Sequence, residues 1–103
     1  MIRARYYKES DTHTLTVLGH AGYDEYGKDI VCAGVSAIVQ ALMGWIENNP
    51  YCADCISTDE TSGELIISCT GGEDVESVFS MATIGIGQIA EVYPYHVNIE
   101  VSR

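Results

Sequence analysis

The run GHAGYDEYGKDIVCAGVSA, Gly19 to Ala37, sets His20 and Cys32 on either side of a glycine-bracketed acidic loop. A thiol and an imidazole together suffice for nucleophilic attack on a carbonyl. The ring takes the thiol proton, the sulfur attacks, and the ring returns the proton to a leaving amine. Asp29 is a good helix N-cap, which puts Ile30, Val31 and Cys32 in the first helical turn. First-turn N–H groups lack intrahelical partners and carry partial positive charge, so they bias a thiol from its ordinary pKa of about 8.5 toward neutrality. The same groups are suited to hold the oxyanion formed on attack.

Helical spacing places the rest of the set. The apolar stripe falls at 31, 35, 38, 42, 45 and 46, so Cys32 lies beside it at the edge of the core, and Ser36 shares its side. His20 ends the second strand on the side opposite Leu15 and Val17. The segment from Ala21 to Lys28 reaches about 25 Å when extended, so an imidazole nitrogen within roughly 3–4 Å of Cys32 Sγ is geometrically easy. A second reading stands beside this one: cysteine is among the most buried residue types, and the pair is then a core thiol and an ordinary strand-end histidine. Asp29 has two readings as well. It caps the helix, with a charge that opposes thiolate formation, or it orients His20 as a third catalytic group. Gly22, Tyr23, Asp24, Glu25, Tyr26 and Gly27 form either a loop that closes on a substrate or a solvated surface loop.

The elements that must position these residues follow from periodicity. Ile2, Ala4 and Tyr6 alternate with Arg3, Arg5 and Tyr7, and a turn at 9–12 leads to a partner strand over 14–19. A helix over 30–49 stops at Asn49-Pro50. A second hairpin pairs 54–59 with 64–70 across Thr61-Ser62-Gly63, and Gly71-Gly72 breaks the chain. A second helix spans about 73–92, with Val75, Val78, Phe79, Ala82, Ile86 and Ile89 on one stripe. Gly85 and Gly87 inside it each cost roughly 1 kcal/mol relative to alanine, which predicts close packing there. In the last strand Tyr95, Val97, Ile99 and Val101 point inward and His96 outward, as a solvated residue rather than a ligand or base. The order ββαββαβ, with one apolar face per element, predicts a single α+β domain: a two-layer sandwich with both helices on one sheet.

Composition narrows the partners. Fifteen acidic residues against five basic leave a formal charge of −10. That charge repels nucleic-acid phosphates, so direct nucleic-acid binding is not expected, while a basic partner is attracted. No apolar run approaches the roughly 18 residues of a membrane helix, and the N-terminus lacks the apolar stretch of a secretory signal, which predicts a cytoplasmic protein without membrane association. Four cysteines in that compartment argue against a disulfide framework. Cys52 and Cys55 form a C-x-x-C, but no second pair completes a zinc site and the motif does not sit between a strand and a helix as in thioredoxin-like proteins. No metal or other cofactor is expected. Cys69 alternates with Leu65 and Ile67 on a strand and reads as core.

Gly19, His20, Ala21, Gly27, Asp29, Val31, Cys32, Ala33 and Ser36 together closely resemble the signature of the Prp ribosomal-processing cysteine proteases. The likeness extends more loosely through Gly71-Gly72 and the second helix to Tyr93-Pro94. The resemblance implies a bacterial, homodimeric enzyme. Its partner would be a basic ribosomal protein precursor, the twenty-seventh protein of the large subunit, whose N-terminal extension it removes. It implies Cys32 as nucleophile and His20 as general base and acid, with Asp29 and Ser36 at family positions of less settled role. Two other classes remain open on the residues alone: a non-catalytic acidic adaptor that binds a basic ribosomal or assembly protein, and a thiol-redox protein using Cys52 and Cys55.

Overall fold

Alternating burial makes the first hairpin. Ile2, Ala4 and Tyr6 are buried and Arg3 and Arg5 exposed along β1 (Ile2–Glu9), which turns at Ser10 and Asp11 into β2 (Thr12–Leu18), with Tyr6 opposite Leu15. The computed structural model describes residues 1–49, 53–59 and 63–102, with backbone only for 53–59. Helix α1 (Ile30–Glu47) follows, then the hairpin β3 (Ala53–Asp59) and β4 (Glu64–Thr70), helix α2 (Glu73–Val92) and β5 (Val97–Ser102). The strands form one sheet in the order β3-β4-β2-β1-β5, with β5 parallel to β1 and every other pair antiparallel. This is the expected α+β sandwich.

The core is built from the inner faces of both layers. Leu15, Ile67, Cys69, Phe79 and Ile86 are fully buried, joined by Val31, Val35, Val39, Leu42 and Ile46 of α1. Cys69 is thus a core residue, as its strand position predicts. In α1 the buried stripe takes Val39 where the sequence pattern suggested Ile38, because Ile38 turns toward α2. A Cβ on Gly85 would stand 2.9 Å from Ile38 Cδ1, so close helix packing accounts for that glycine. It does not account for Gly87, where a Cβ would meet nothing within 4 Å. Helix α1 also corrects the membrane estimate: with 18 residues and a mean hydropathy of 1.7 it is long and apolar enough to span a bilayer by length and composition. In this fold its stripe is satisfied by the protein core instead.

Two strand ends differ from the periodic reading. β2 starts two residues early because His13 is buried, its Nδ1 2.7 Å from Tyr6 Oη and its ring stacked on Phe79. β5 starts late: Tyr95 is 85% exposed in a turn closed by bonds from the His96 and Val97 N–H groups to Tyr93 O, and Val101 is 49% exposed on this edge strand. The C-x-x-C lies outside the described residues, apart from the backbone pairing of Cys55 with Ser68, as do Pro50, Thr61 and Ser62.

Glycine positions separate two effects in thermal melts. Gly87→Ala adds a helix former in open space and raises stability by up to about 1 kcal/mol. Gly19→Ala costs about 1–3 kcal/mol, because Gly19 has φ +93° and a Cβ there would lie 2.5 Å from the Met1 carbonyl oxygen. Equal effects of the two substitutions would contradict this account.

Candidate active site

Cys32 stands in the first turn of α1, half-buried against the core, and lines a cleft of about 160 Å³. One wall is a helical face on which Ser36 and Gln40 follow Cys32 at one-turn steps, with Val39 and Met43 beside them. The opposite wall is sheet: Ile2 of β1, Val17 of β2 and Leu65 of β4, closed by Gly19. His20 is the next residue after Gly19 and is exposed. The chain therefore enters His20 directly from Gly19, a residue that lines the same cleft as Cys32. Among the described residues no hydrogen bond joins the two side chains.

Asp29 is the N-cap, and it does more than begin the helix. Its Oδ1 accepts the Cys32 N–H at 2.9 Å, while Oδ2 accepts the N–H groups of Tyr23 at 3.0 Å and Asp24 at 3.3 Å. The Cys32 N–H, followed by those of Asp24, Tyr23 and Val31, holds the Asp29 carboxyl below its usual value, against a smaller opposing effect of burial. One consequence corrects the sequence expectation of unpaired N–H groups throughout the first turn. The N–H of Cys32 is already committed to Asp29, and that of Ala33 to the Asp29 carbonyl at 3.0 Å.

The same bonds shape the loop between the pair. Gly22 and Gly27 have φ of +66° and +87°, conformations that glycine adopts freely. Between them Glu25 pairs with Lys28 at 2.9 Å on the surface, a contact of little energetic weight. Tyr26 is almost wholly exposed, whereas Tyr23 packs edge-on against Tyr93 and His96, with centroids 5.2 and 5.4 Å apart. His96 is not the solvated strand residue that period-2 alternation suggested. It precedes β5, is half-buried, and its Nδ1–H donates to the Ala21 carbonyl at 2.9 Å. Sequence reasoning also passed over Gln40 and Met43, although their helical spacing from Cys32 and Ser36 would have found them.

The model of the family described as cysteine protease Prp matches residues 1–98. The ribosomal processing cysteine protease Prp of Mycoplasma genitalium is 32% identical over 90 residues, covering 82% of this chain and 84% of the relative. A crystal structure of the ribosomal processing protease Prp from S. aureus, in complex with a covalently linked product peptide, superposes with a TM-score of 0.86 at 23% identity and covers 99% of this chain and all of that one. SMU.848 from Streptococcus mutans superposes with a TM-score of 0.76 at 29% identity, over 98% and 93% of the two chains.

Because its native pKa is depressed, ionised Asp29 contributes stability that is complete above the unfolded value near 3.8 and is lost as pH falls through the lower native value. Asp29→Asn keeps a capping side chain without that charge. Its Tm deficit against the parent is expected at pH 7 and shrinks below pH 3, as melts across that range will show. A deficit independent of pH would mean that the charge is not what these N–H groups hold.

Proposed function

Since the chain belongs to the Prp family of cysteine proteases, we propose that it removes the N-terminal extension of the twenty-seventh large-subunit ribosomal protein, with Cys32 as nucleophile and His20 as general base and acid. The observation that supports this reading is a half-buried Cys32 in the wall of a cleft that is also lined by Gly19, the residue immediately before His20. In the proposed cycle His20 takes the Cys32 proton, and the thiolate attacks the scissile carbonyl carbon. The C–N bond then breaks as His20 protonates the leaving amine, leaving a thioester on Cys32. Water, deprotonated by His20, attacks the thioester, and the proton returns to the sulfur as the new carboxyl end departs.

The surroundings of Cys32 support particular divisions of labour. With a carboxylate at the helix start, the cation that pairs with the thiolate is the His20 imidazolium. Oxyanion donors come from amides near the helix start other than the engaged Cys32 N–H. Asp29 supports the pair by holding helix and loop together, and Ser36, one turn from Cys32 on the cleft wall, meets the substrate. Ile2, Val17, Val39 and Leu65 suit an apolar substrate side chain beside the scissile bond. A charge of −10 draws a basic ribosomal protein toward the enzyme and disfavours direct contact with RNA. The working setting is the bacterial cytoplasm and the working form a homodimer, as the family resemblance implies.

Incubating the protein with the extended ribosomal protein and determining the product N-terminus by mass spectrometry tests this reading. One internal cut is expected from the parent, none from Cys32→Ala, and a rate lower by roughly 10²–10⁴-fold from His20→Ala. Binding of intact substrate without cleavage would replace the protease reading with that of an acidic adaptor.

A further inference from the structure

His20, as the proposed base, must be held at one place relative to Cys32, yet among the described residues no side chain is bonded to its ring. Its position is set through the backbone on either side. Upstream, Gly19 occupies a left-handed conformation with no room for a side chain against the Met1 carbonyl. Downstream, Ala21 is 2% exposed, and its carbonyl accepts the hydrogen bond from His96 Nδ1 at 2.9 Å, across 75 residues of sequence.

We propose that His96 is a positioning residue for His20, acting through its Nδ1–H bond to the Ala21 carbonyl; this rests on the reading of His20 as the base. His96 is well placed for the task because its own backbone is fixed twice. Its N–H donates to Tyr93 O at the end of α2, and its carbonyl accepts the N–H of Ile2 at 2.9 Å, at the start of β1 and in the wall of the Cys32 cleft. The ring is then packed edge-on against Tyr23, whose N–H is held by Asp29 at the head of the helix that carries Cys32. The segment that joins base to nucleophile is thus fastened at Ala21 by His96 and at Tyr23 and Asp24 by Asp29. A carbonyl only accepts, so the bond places the hydrogen on Nδ1, and protonation of Nε2 leaves it intact. The requirement on residue 96 is therefore a donor at the Nδ1 position rather than a titrating ring.

That requirement yields a discriminating set of variants. The amide nitrogen of asparagine stands near the Nδ1 position of histidine, and that of glutamine near Nε2. In the cleavage assay with the extended ribosomal protein, His96→Ala is expected to lower kcat roughly 10- to 100-fold with KM little changed, because misplacing a reacting group weakens the chemical step rather than substrate binding. His96→Asn restores kcat to within a few-fold of the parent, and His96→Gln resembles His96→Ala. Melting curves identify variants that have lost the fold; if His96→Ala is among them, the comparison of Asn with Gln decides. Parent-like kcat in His96→Ala, or equal losses in Asn and Gln, overturns the proposal. His20→Ala is measured alongside. Full cleavage by that variant overturns the assignment of the base and this proposal with it, whereas loss of cleavage there beside an unaffected His96→Ala overturns the role of His96 alone.

Discussion

One carboxylate ties the site together. Asp29 caps α1 through the Cys32 N–H and pins the preceding loop through the N–H groups of Tyr23 and Asp24. A loop rich in glycine and charge buries too little apolar surface to fix its own path, so polar bonds to a rigid element must do so. Helix α1 is that element, anchored by five buried residues from Val31 to Ile46. The arrangement has an electrostatic cost. The carboxylate that orders the helix start occupies the Cys32 N–H group and places negative charge near that residue, which in the proposed mechanism leaves the balancing of a thiolate to the His20 imidazolium.

In the proposed enzyme recognition divides by distance. The net charge of −10 acts over about a Debye length, roughly 8–10 Å, and would gather basic partners without discriminating among them. Within the cleft the lining is different in kind. Ile2, Val17, Val39, Met43 and Leu65 present apolar surface, and among the described residues no acidic side chain lines it, so in the proposed enzyme discrimination at the scissile bond depends on shape and burial. On that reading long-range attraction and short-range selection fall to different residues, and the polar side chains that line the cleft among the described residues, Cys32, Ser36 and Gln40, come from a single helix.

What could be read from the sequence was what is local in the chain. Asp29 beside an apolar stripe defines the start of α1, and with it the position of Cys32 at the core edge, because capping and periodicity act within a turn or two. The same locality gave α2 from Glu73 to Val92. The order of strands is set by pairings far apart in sequence, such as the parallel alignment of Ile2 with Val97, and no local pattern encodes it. His96 was misplaced for that reason: its alternation with Val97 suggested a strand residue facing water, whereas the strand begins after it and the sheet delivers its ring to Ala21. His13 went unremarked because a buried histidine is made tolerable by a partner, Tyr6 Oη, that is adjacent only once the hairpin has formed.

These two histidines show how differently one side chain can be used in a small fold. His13 lies within the core, stacked near Tyr6 and Phe79 and hydrogen-bonded through Nδ1 to Tyr6 Oη. His96 lies half-buried between the sheet and the loop, where a single donor reaches a backbone carbonyl. In the proposed enzyme that second placement answers a specific difficulty. Both Asp29 oxygens already accept backbone N–H groups, so orientation of the base falls to the main chain on either side of His20. Holding a carbonyl rather than the catalytic ring leaves both ring nitrogens free for proton transfer. It also keeps a further negative charge away from a site where Asp29 already stands beside the nucleophile.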